Sequence, residues 1–342
     1  MTELTSFWSG ALTVGAREDL YALASRVGGA ERLVTGGVDA LVAAGLPVHV
    51  ARAWCAAPPL RSRWRALPYG TPGYPEHLAA IPSPPPVLFF EGDPEALARP
   101  GVAMVGTRAC TGYGAGVARH LATELARSGA VVVSGLARGV DAHAHGAALR
   151  AGRTVAVLGH GLDTTAPPSN LRLRQAIVDN AGAIVSTFVD DVQPARWTFP
   201  ARNRWIAALS RAVVVVEAPH RSGALITAKH ALELGRDVWA VPGPITSTAS
   251  AGCLDLIASG ALVVTGVRDV VQSLCGLVAP SPEAWLALLL DGAPLEQVCV
   301  ASGRPMAELL ARVSRLELDG ALVRTPDGRY APGGSVDQCT KT

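Results

Sequence analysis

Lysine is almost missing from this chain. Of its 30 lysines and arginines only Lys229 and Lys341 are lysine, so nearly every positive charge is a guanidinium. The formal net charge is only +2 over 342 residues. No bulk polycation argument for nucleic acid is available, and any such binding must rest on a local patch. Six cysteines (55, 110, 253, 275, 299, 339) include no C-x-x-C pair, which argues against a disulfide framework or a zinc site and fits reduced thiols. No uninterrupted apolar run reaches the ~18 residues of a membrane span, and no basic segment followed by an apolar core opens the chain. These absences lead us to expect a soluble, cytoplasmic protein with no membrane partner.

What is present is organised in blocks. Residues 1–66 read as a small helical domain, with patterns at 17–27, 30–43 and 47–56. Residues 67–100 are proline-rich and carry Val87-Leu88-Phe89-Phe90, an extended connection with a strand. From 101 to about 272, apolar runs at 102–105, 131–133, 154–158, 183–185, 212–216, 238–241 and 261–264 alternate with helical patterns. Continuous β-branched runs of this kind suit strands buried on both faces of a parallel sheet. The expected fold is therefore α/β, a doubly wound and mostly parallel sheet with right-handed crossovers. A linker at 276–282 precedes three helical patterns (283–290, 294–302, 305–318) and a hairpin about Pro326-Asp327-Gly328. Within 283–332 that combination reads as a winged helix, followed by a polar tail, 333–342, expected to be disordered.

Chemistry-bearing residues collect where the strands end. Gly106-Thr107-Arg108 follows the first strand of the alternating region and precedes a glycine-rich helix start. Free N–H groups and the positive helix end are expected to form an anion corner there, with Arg108 adding a fork of donors. Ser134-Gly135-Leu136-Ala137-Arg138-Gly139 follows the second strand. Ser222-Gly223 opens a helix and reads as a second anion corner. Between them lies Arg196-Trp197-Thr198-Phe199-Pro200-Ala201-Arg202-Asn203-Arg204. From Arg196 to Arg236 seven cations face two acids, a local +5. Cations interleaved with aromatics suit a single-stranded nucleic-acid groove, although Trp197 and Phe199 at core positions would fit the same pattern.

Two catalytic readings are weak. Asp141-x-His143-x-His145 has metal-like spacing, but positions i, i+2 and i+4 of a helix do not share one face. Cys110 beside the first corner lacks a recognisable His/Asn partner pattern.

The ordered motifs Val105-Gly106-Thr107-Arg108, Ser134-Gly135-Leu136-Ala137-Arg138-Gly139-Val140-Asp141, Phe199-Pro200 with Arg202-Asn203-Arg204, Ser222-Gly223-Ala224-Leu225-Ile226-Thr227 and Val241-Pro242-Gly243 resemble those of the DprA/Smf family of bacterial DNA-processing proteins. The resemblance runs from about Tyr74 to Val271. It implies an extended Rossmann-like DNA-binding domain over 67–275, a helical (SAM/HhH-like) amino-terminal domain, and a winged helix. It also implies a homodimer that binds single-stranded DNA without sequence preference. Such a protein loads a RecA-type recombinase during natural transformation and recombination, with no cofactor and no catalysis. The family's phosphate site maps onto Gly106, Thr107 and Arg108, its basic residue onto Arg196 and its base-contacting phenylalanine onto Phe199. With these, Ser134, Gly135, Arg138, Gly139, Arg202, Asn203, Arg204, Ser222 and Gly223 complete the expected DNA-binding set.

Departures from the family pattern occur at Thr187, Leu254 and Ala166. The third winged-helix segment mixes Arg304, Arg312 and Arg315 with Glu308, Glu317 and Asp319, so a protein-interaction role suits it as well as DNA reading. The rival reading is a nucleotide phosphoribohydrolase-like Rossmann enzyme. Pro242-Gly243-Pro244-Ile245-Thr246, however, lacks the second glycine and the glutamate of that group's P-G-G-x-G-T-x-x-E run. A third reading is a scaffold that works only through its carboxy-terminal module.

Overall fold

The computed structural model describes residues 7–8, 11, 20–58, 62–99, 101–266, 270–271, 284–302, 305–318, 321–325 and 328–332. The expected linker at 276–282, the tail at 333–342, Arg304, Asp319 and the turn residues Pro326 and Asp327 lie outside the described residues. The chain divides into two compact units, one covering 1–126 and 130–267, the other 127–129 and 268–342.

The larger unit is built on a nine-stranded sheet. In chain order its strands are β1 (Arg65–Pro68), β2 (Val87–Gly92), β3 (Gly101–Val105), β4 (Val131–Ser134), β5 (Thr154–Val157), β6 (Ala183–Ser186), β7 (Ala212–Val215), β8 (Asp237–Ala240) and β9 (Leu262–Val263). They lie side by side as β1-β2-β6-β5-β4-β3-β7-β8-β9. β3 to β9 run parallel, and only β1–β2 and β2–β6 pair antiparallel. The fold is thus Rossmann-like. Every residue of β3, β4, β5, β6 and β7 is buried, because helices cover both faces, and the polar Ser134, Thr154 and Ser186 at strand ends each donate to a backbone oxygen.

The connections are α5 (Glu76–Ala79), α6 (Glu95–Ala98), α7 (Gly112–Arg127), α8 (Val140–Ala148), α9 (Leu171–Asp179), α10 (Thr198–Ala208), α11 (Gly223–Glu233) and α12 (Ala251–Ala258). Chain order steps from β3 leftward through β4, β5 and β6, then returns to β7 on the other side of β3. The crevice between the carboxyl ends of β3 and β7 is the switch point, where ligands of open α/β sheets bind.

Before the sheet, the described residues include the short helices α1 (Leu20–Val27), α2 (Ala30–Thr35), α3 (Gly37–Ala43) and α4 (Val48–Ala56). The sequence pattern over 30–43 suggests one helix. The structure splits it at Gly36-Gly37, where Gly37 has φ +53°. Trp8 and Trp54 anchor this layer by donating indole N–H bonds to Tyr69 O (2.9 Å) and Phe7 O (2.8 Å).

The smaller unit contains α13 (Ala284–Leu290), α14 (Leu295–Ser302), α15 (Met306–Leu318) and the antiparallel pair β10 (Leu322–Arg324) and β11 (Tyr330–Pro332). Its core is Trp285, Leu289, Val298, Leu309, Val313 and Leu322. Among the described residues no helix is long and apolar enough to cross a membrane.

Candidate functional site

The loop after β3 is held by one acid. The Glu217 backbone oxygen accepts from Thr107 N at 2.7 Å. Its carboxylate, 2% exposed, accepts from Thr111 N and Thr111 Oγ1, both at 2.7 Å. Thr107 Oγ1 takes the Ala109 N–H at 3.3 Å. The amides expected to stand free for an anion are therefore already bonded inside the protein, at Thr107, Ala109 and Thr111. What faces outward is Arg108, whose guanidinium carbon lies 5.1 Å from the centroid of the Phe199 ring. Gly106 is required by close approach: a Cβ there would meet Val140 Cγ2 at 2.5 Å and Glu217 O at 2.9 Å.

The loop after β4 is a buried clamp, which corrects the expectation for Ser134 and Gly135. Ser134 is fully buried and donates to Met104 O at 2.6 Å. Asp141 Oδ2 accepts from Gly135 N (3.1 Å) and Ala137 N (3.3 Å), closing the loop onto the first turn of α8. His145, one turn later, accepts from Leu136 N through Nε2 at 3.3 Å. Thr154 Oγ1 spends its proton on Val132 O, so His145 Nδ1 must donate to Thr154 Oγ1 at 2.6 Å. That fixes a neutral imidazole. Burial, with help from Arg202, pushes its pKa down to about 3. Asp141 and His145 thus both hold the loop, while His143 lies near Arg119 instead. Among the described residues no metal-binding cluster exists.

Arg202 also turns inward. It is 5% exposed and donates to Gly135 O at 2.7 Å, to Val157 O, and to Asn203 Oδ1 at 3.2 Å. A Cβ on Gly135 would overlap this guanidinium, which explains the glycine. Burial lowers the Arg202 pKa to about 10 while Asp141 opposes that shift. Burial likewise raises Asp141, against the pull of Arg202 and the two amides. Arg202 is a keystone joining the ends of β4 and β5, not a hand offered to a ligand. Asn203 donates to Gly223 O at 3.0 Å and ties α10 to the start of α11. Arg204 reaches away to Pro82 O and over the Trp205 ring. Arg138 is exposed but stands outside the groove lining.

The remaining residues converge. Thr107, Arg108, Arg196, Phe199, Ser222 and Gly223 line one open groove of about 690 Å³, into whose wall Gly106 and the already bonded Arg202 and Asn203 also enter. Arg108 and Arg196 are its exposed cations; the one carboxylate in its wall, Asp141, is 6% exposed and already bonded to two amides. Phe199 lies against Gly159, where a Cβ would come within 3.1 Å of its ring. Ser222 caps α11 by accepting from Ala224 N at 3.3 Å. Gly139, at φ +71°, lets the two loops touch; a Cβ there would strike Thr107 O and lie 2.7 Å from the Arg108 carbonyl carbon. The groove combines two exposed charges, one ring and a capped helix start, which suits a phosphate with an adjoining planar base. Cys110 has its thiol pKa raised, first by burial and then by Glu217, opposite to what a nucleophile needs.

Sequence reasoning missed Glu217 and the Asp141–His145 clamp. The signal for Glu217 was an acid directly after the fully apolar run 212–216. For the clamp it was the i, i+4 spacing of an acid and a histidine behind a glycine loop.

This geometry can be set beside known proteins. A family model described as DNA recombination-mediator protein A matches residues 65–275. Protein Smf of Escherichia coli K12 is 38% identical over 283 residues, 77% of this chain and 76% of that protein. DNA processing protein DprA of Streptococcus pneumoniae is 46% identical over 203 residues, 58% of this chain and 70% of that one. Its crystal structure superposes with a TM-score of 0.65 at 33% identity, covering 79% of this chain and 97% of that one. DNA processing protein A of Helicobacter pylori, studied for its single-stranded DNA binding mode, superposes with a TM-score of 0.58 at 30% identity, covering 64% and 98%. The matched span holds the whole sheet, both glycine loops and the arginine–phenylalanine groove, and on that footing the chain belongs to the DNA recombination-mediator protein A family, the DprA/Smf proteins.

Proposed function

We propose that this protein binds single-stranded DNA without sequence preference and carries out no chemistry on it. The carrying observation is the stacked pair of Arg108 and Phe199 in the wall of an open groove that Arg196 also lines. A guanidinium over a ring offers one phosphate contact and one base-stacking face, and neither distinguishes one base from another. The Helicobacter pylori relative, which binds single-stranded DNA, supports the reading. Family membership supports a further step: as a homodimer in the cytoplasm, the protein helps load a RecA-type recombinase onto incoming DNA during natural transformation. The smaller unit, three helices and a hairpin, fits a winged helix. On α15 Arg312 pairs with Glu308 at 3.2 Å, which favours a protein-interaction surface over a DNA reader.

Filter binding of single-stranded and duplex DNA at a series of salt concentrations tests the core of this. Two groove cations at about 0.7 counterions each give a log–log salt slope of about −1.4 for an oligonucleotide that spans only the groove. Arg108→Ala is expected to bring it to about −0.7 and to weaken all sequences alike. Unchanged affinity and slope in the variant would refute the assignment. Measurable base release from a nucleotide would instead support the phosphoribohydrolase reading.

A further inference from the structure

The switch-point crevice holds a second groove of about 470 Å³, separate in its lining from the Arg108–Phe199 groove. Its wall comes from Thr111, Tyr113, Glu217, Pro242-Gly243-Pro244, Ser247 and Ser250, at the ends of β3, β7 and β8. This is the size and place of a nucleotide pocket in a doubly wound sheet, whose phosphate would sit at the amino terminus of the helix after the first strand. Here that helix is α7, and the position is filled by the protein itself. Glu217 Oε2 receives the Thr111 amide, the N-cap N–H of α7, and Oε1 receives the Thr111 hydroxyl, both at 2.7 Å. Thr111 Oγ1 in turn accepts from Gly114 N at 3.2 Å, and any side chain on Gly114 would collide with the Glu217 carboxylate. The fit is close, and the carboxylate mimics two oxygens of a bound phosphate.

We infer that Glu217 is a specificity residue, a built-in anion that closes the α7 corner to nucleotide phosphates. An entering phosphate would have to share its donors with a fixed negative charge, which is repulsive at contact distance. The deoxynucleoside monophosphate, the competitor of a DNA-binding site inside a cell, is thereby shut out of the crevice. The polymer's phosphate is left to the Arg108 groove. The inference rests on the reading of Arg108 as a phosphate contact but concerns a different set of atoms.

The test uses the full chain, deoxyadenosine 5′-monophosphate as probe, and calorimetry with amide NMR. Glu217→Ala and Glu217→Gln are expected to bind the probe at least tenfold tighter than the parent protein at low ionic strength, with the Thr111 amide shifting along the titration. Folded variants that bind it no tighter would overturn the inference. Should both variants fail to fold, the parent protein decides alone. Its Thr111 amide must stay unshifted at millimolar probe, and a saturable shift there overturns the idea. Arg108→Ala against single-stranded DNA separates the two claims. Loss of DNA binding there, with no gain of nucleotide in the Glu217 variants, removes the plug and leaves the DNA reading. The converse pattern removes the DNA reading and leaves the plug.

Discussion

Arg202→Met distinguishes a keystone from a DNA contact. The substitution keeps the length and apolar stem of the side chain but removes a guanidinium that is 5% exposed. Two backbone oxygens, Gly135 O and Val157 O, lose their donor in a buried setting, and Asp141 loses the cation that offsets its own burial. An unsatisfied buried acceptor costs about 1–3 kcal/mol, and removing one partner of a buried charge pair costs about 3–5 kcal/mol. These terms overlap, so the expected loss is about 3–5 kcal/mol, a large share of the roughly 5–15 kcal/mol that stabilises a domain. Urea unfolding of the variant measures it. The loss carries a pH signature. Asp141 has its folded pKa raised above the unfolded value, and removing Arg202 raises it further. A raised carboxyl holds its proton longer in the folded state, so stability falls as pH rises through the folded value. The stability lost by Arg202→Met relative to the parent protein is therefore expected to grow as pH rises above the parent's folded Asp141 value. Adding Asp141→Asn should recover at least about 1 kcal/mol of coupling. A variant with unchanged stability that merely loses DNA affinity would show that Arg202 touches the ligand and that the keystone argument is wrong.

Two further outcomes follow from the same geometry. His145 and His77 are held neutral with pKa values near 3 and 4, chiefly by burial. In the unfolded chain both take up a proton near pH 6.5, so the unfolded state binds more protons between about pH 4 and 6.5. Stability should fall as pH falls through that window, by about 1.4 kcal/mol per pH unit for each histidine; denaturant midpoints at pH 7, 6 and 5 give the slope, and a flat profile would contradict the burial of both rings. Gly139→Ala forces a Cβ into a left-handed residue pressed against Thr107 O, so it should cost about 1–3 kcal/mol and misplace Arg108. A variant with native melting temperature and native DNA affinity would show that the loops do not need that contact.

The sheet was legible because its strands advertise themselves. Runs such as 131–133 and Ala212–Val215 are apolar on both faces, and only a strand covered on both sides by helices wants that. β1 was not legible. Arg65-Ala66-Leu67-Pro68 is an edge strand with one exposed and one proline position, and its identity comes from pairing with β2. The amino-terminal split at Gly36-Gly37 hides inside an otherwise helical pattern because glycine interrupts a helix without changing the apolar spacing. At the site, Arg108, Arg196, Phe199 and Ser222 could be named from strand-end position and residue chemistry. The direction of each side chain could not be read. Ser134 and Gly135 occupy the same kind of turn as Gly106 and Thr107, yet they point at Met104 O and at Arg202.

Charge shows why direction matters more than composition. Seven cations between Arg196 and Arg236 suggest a broad electropositive track, and a strand neutralised by all of them would show a salt slope near −5. The structure disperses them. Arg202 is consumed by carbonyls, Arg204 by Pro82 O, Lys229 lies 3.9 Å from Glu233, and Arg236 leans on His77 O at the opposite, amino-terminal end of the strands. Only Arg196 of the seven joins Arg108 as an exposed cation in the groove. A chain with so few lysines spends arginine on structure as well as on binding, because a planar fork with five donors can satisfy several buried carbonyls at once, which an ammonium on a flexible stem does poorly. The same chemistry that makes arginine a good phosphate ligand thus makes it a poor marker of one in this sequence. The groove is identified by the pairing of Arg108 with Phe199, a contact between residues 91 positions apart that no local charge count contains.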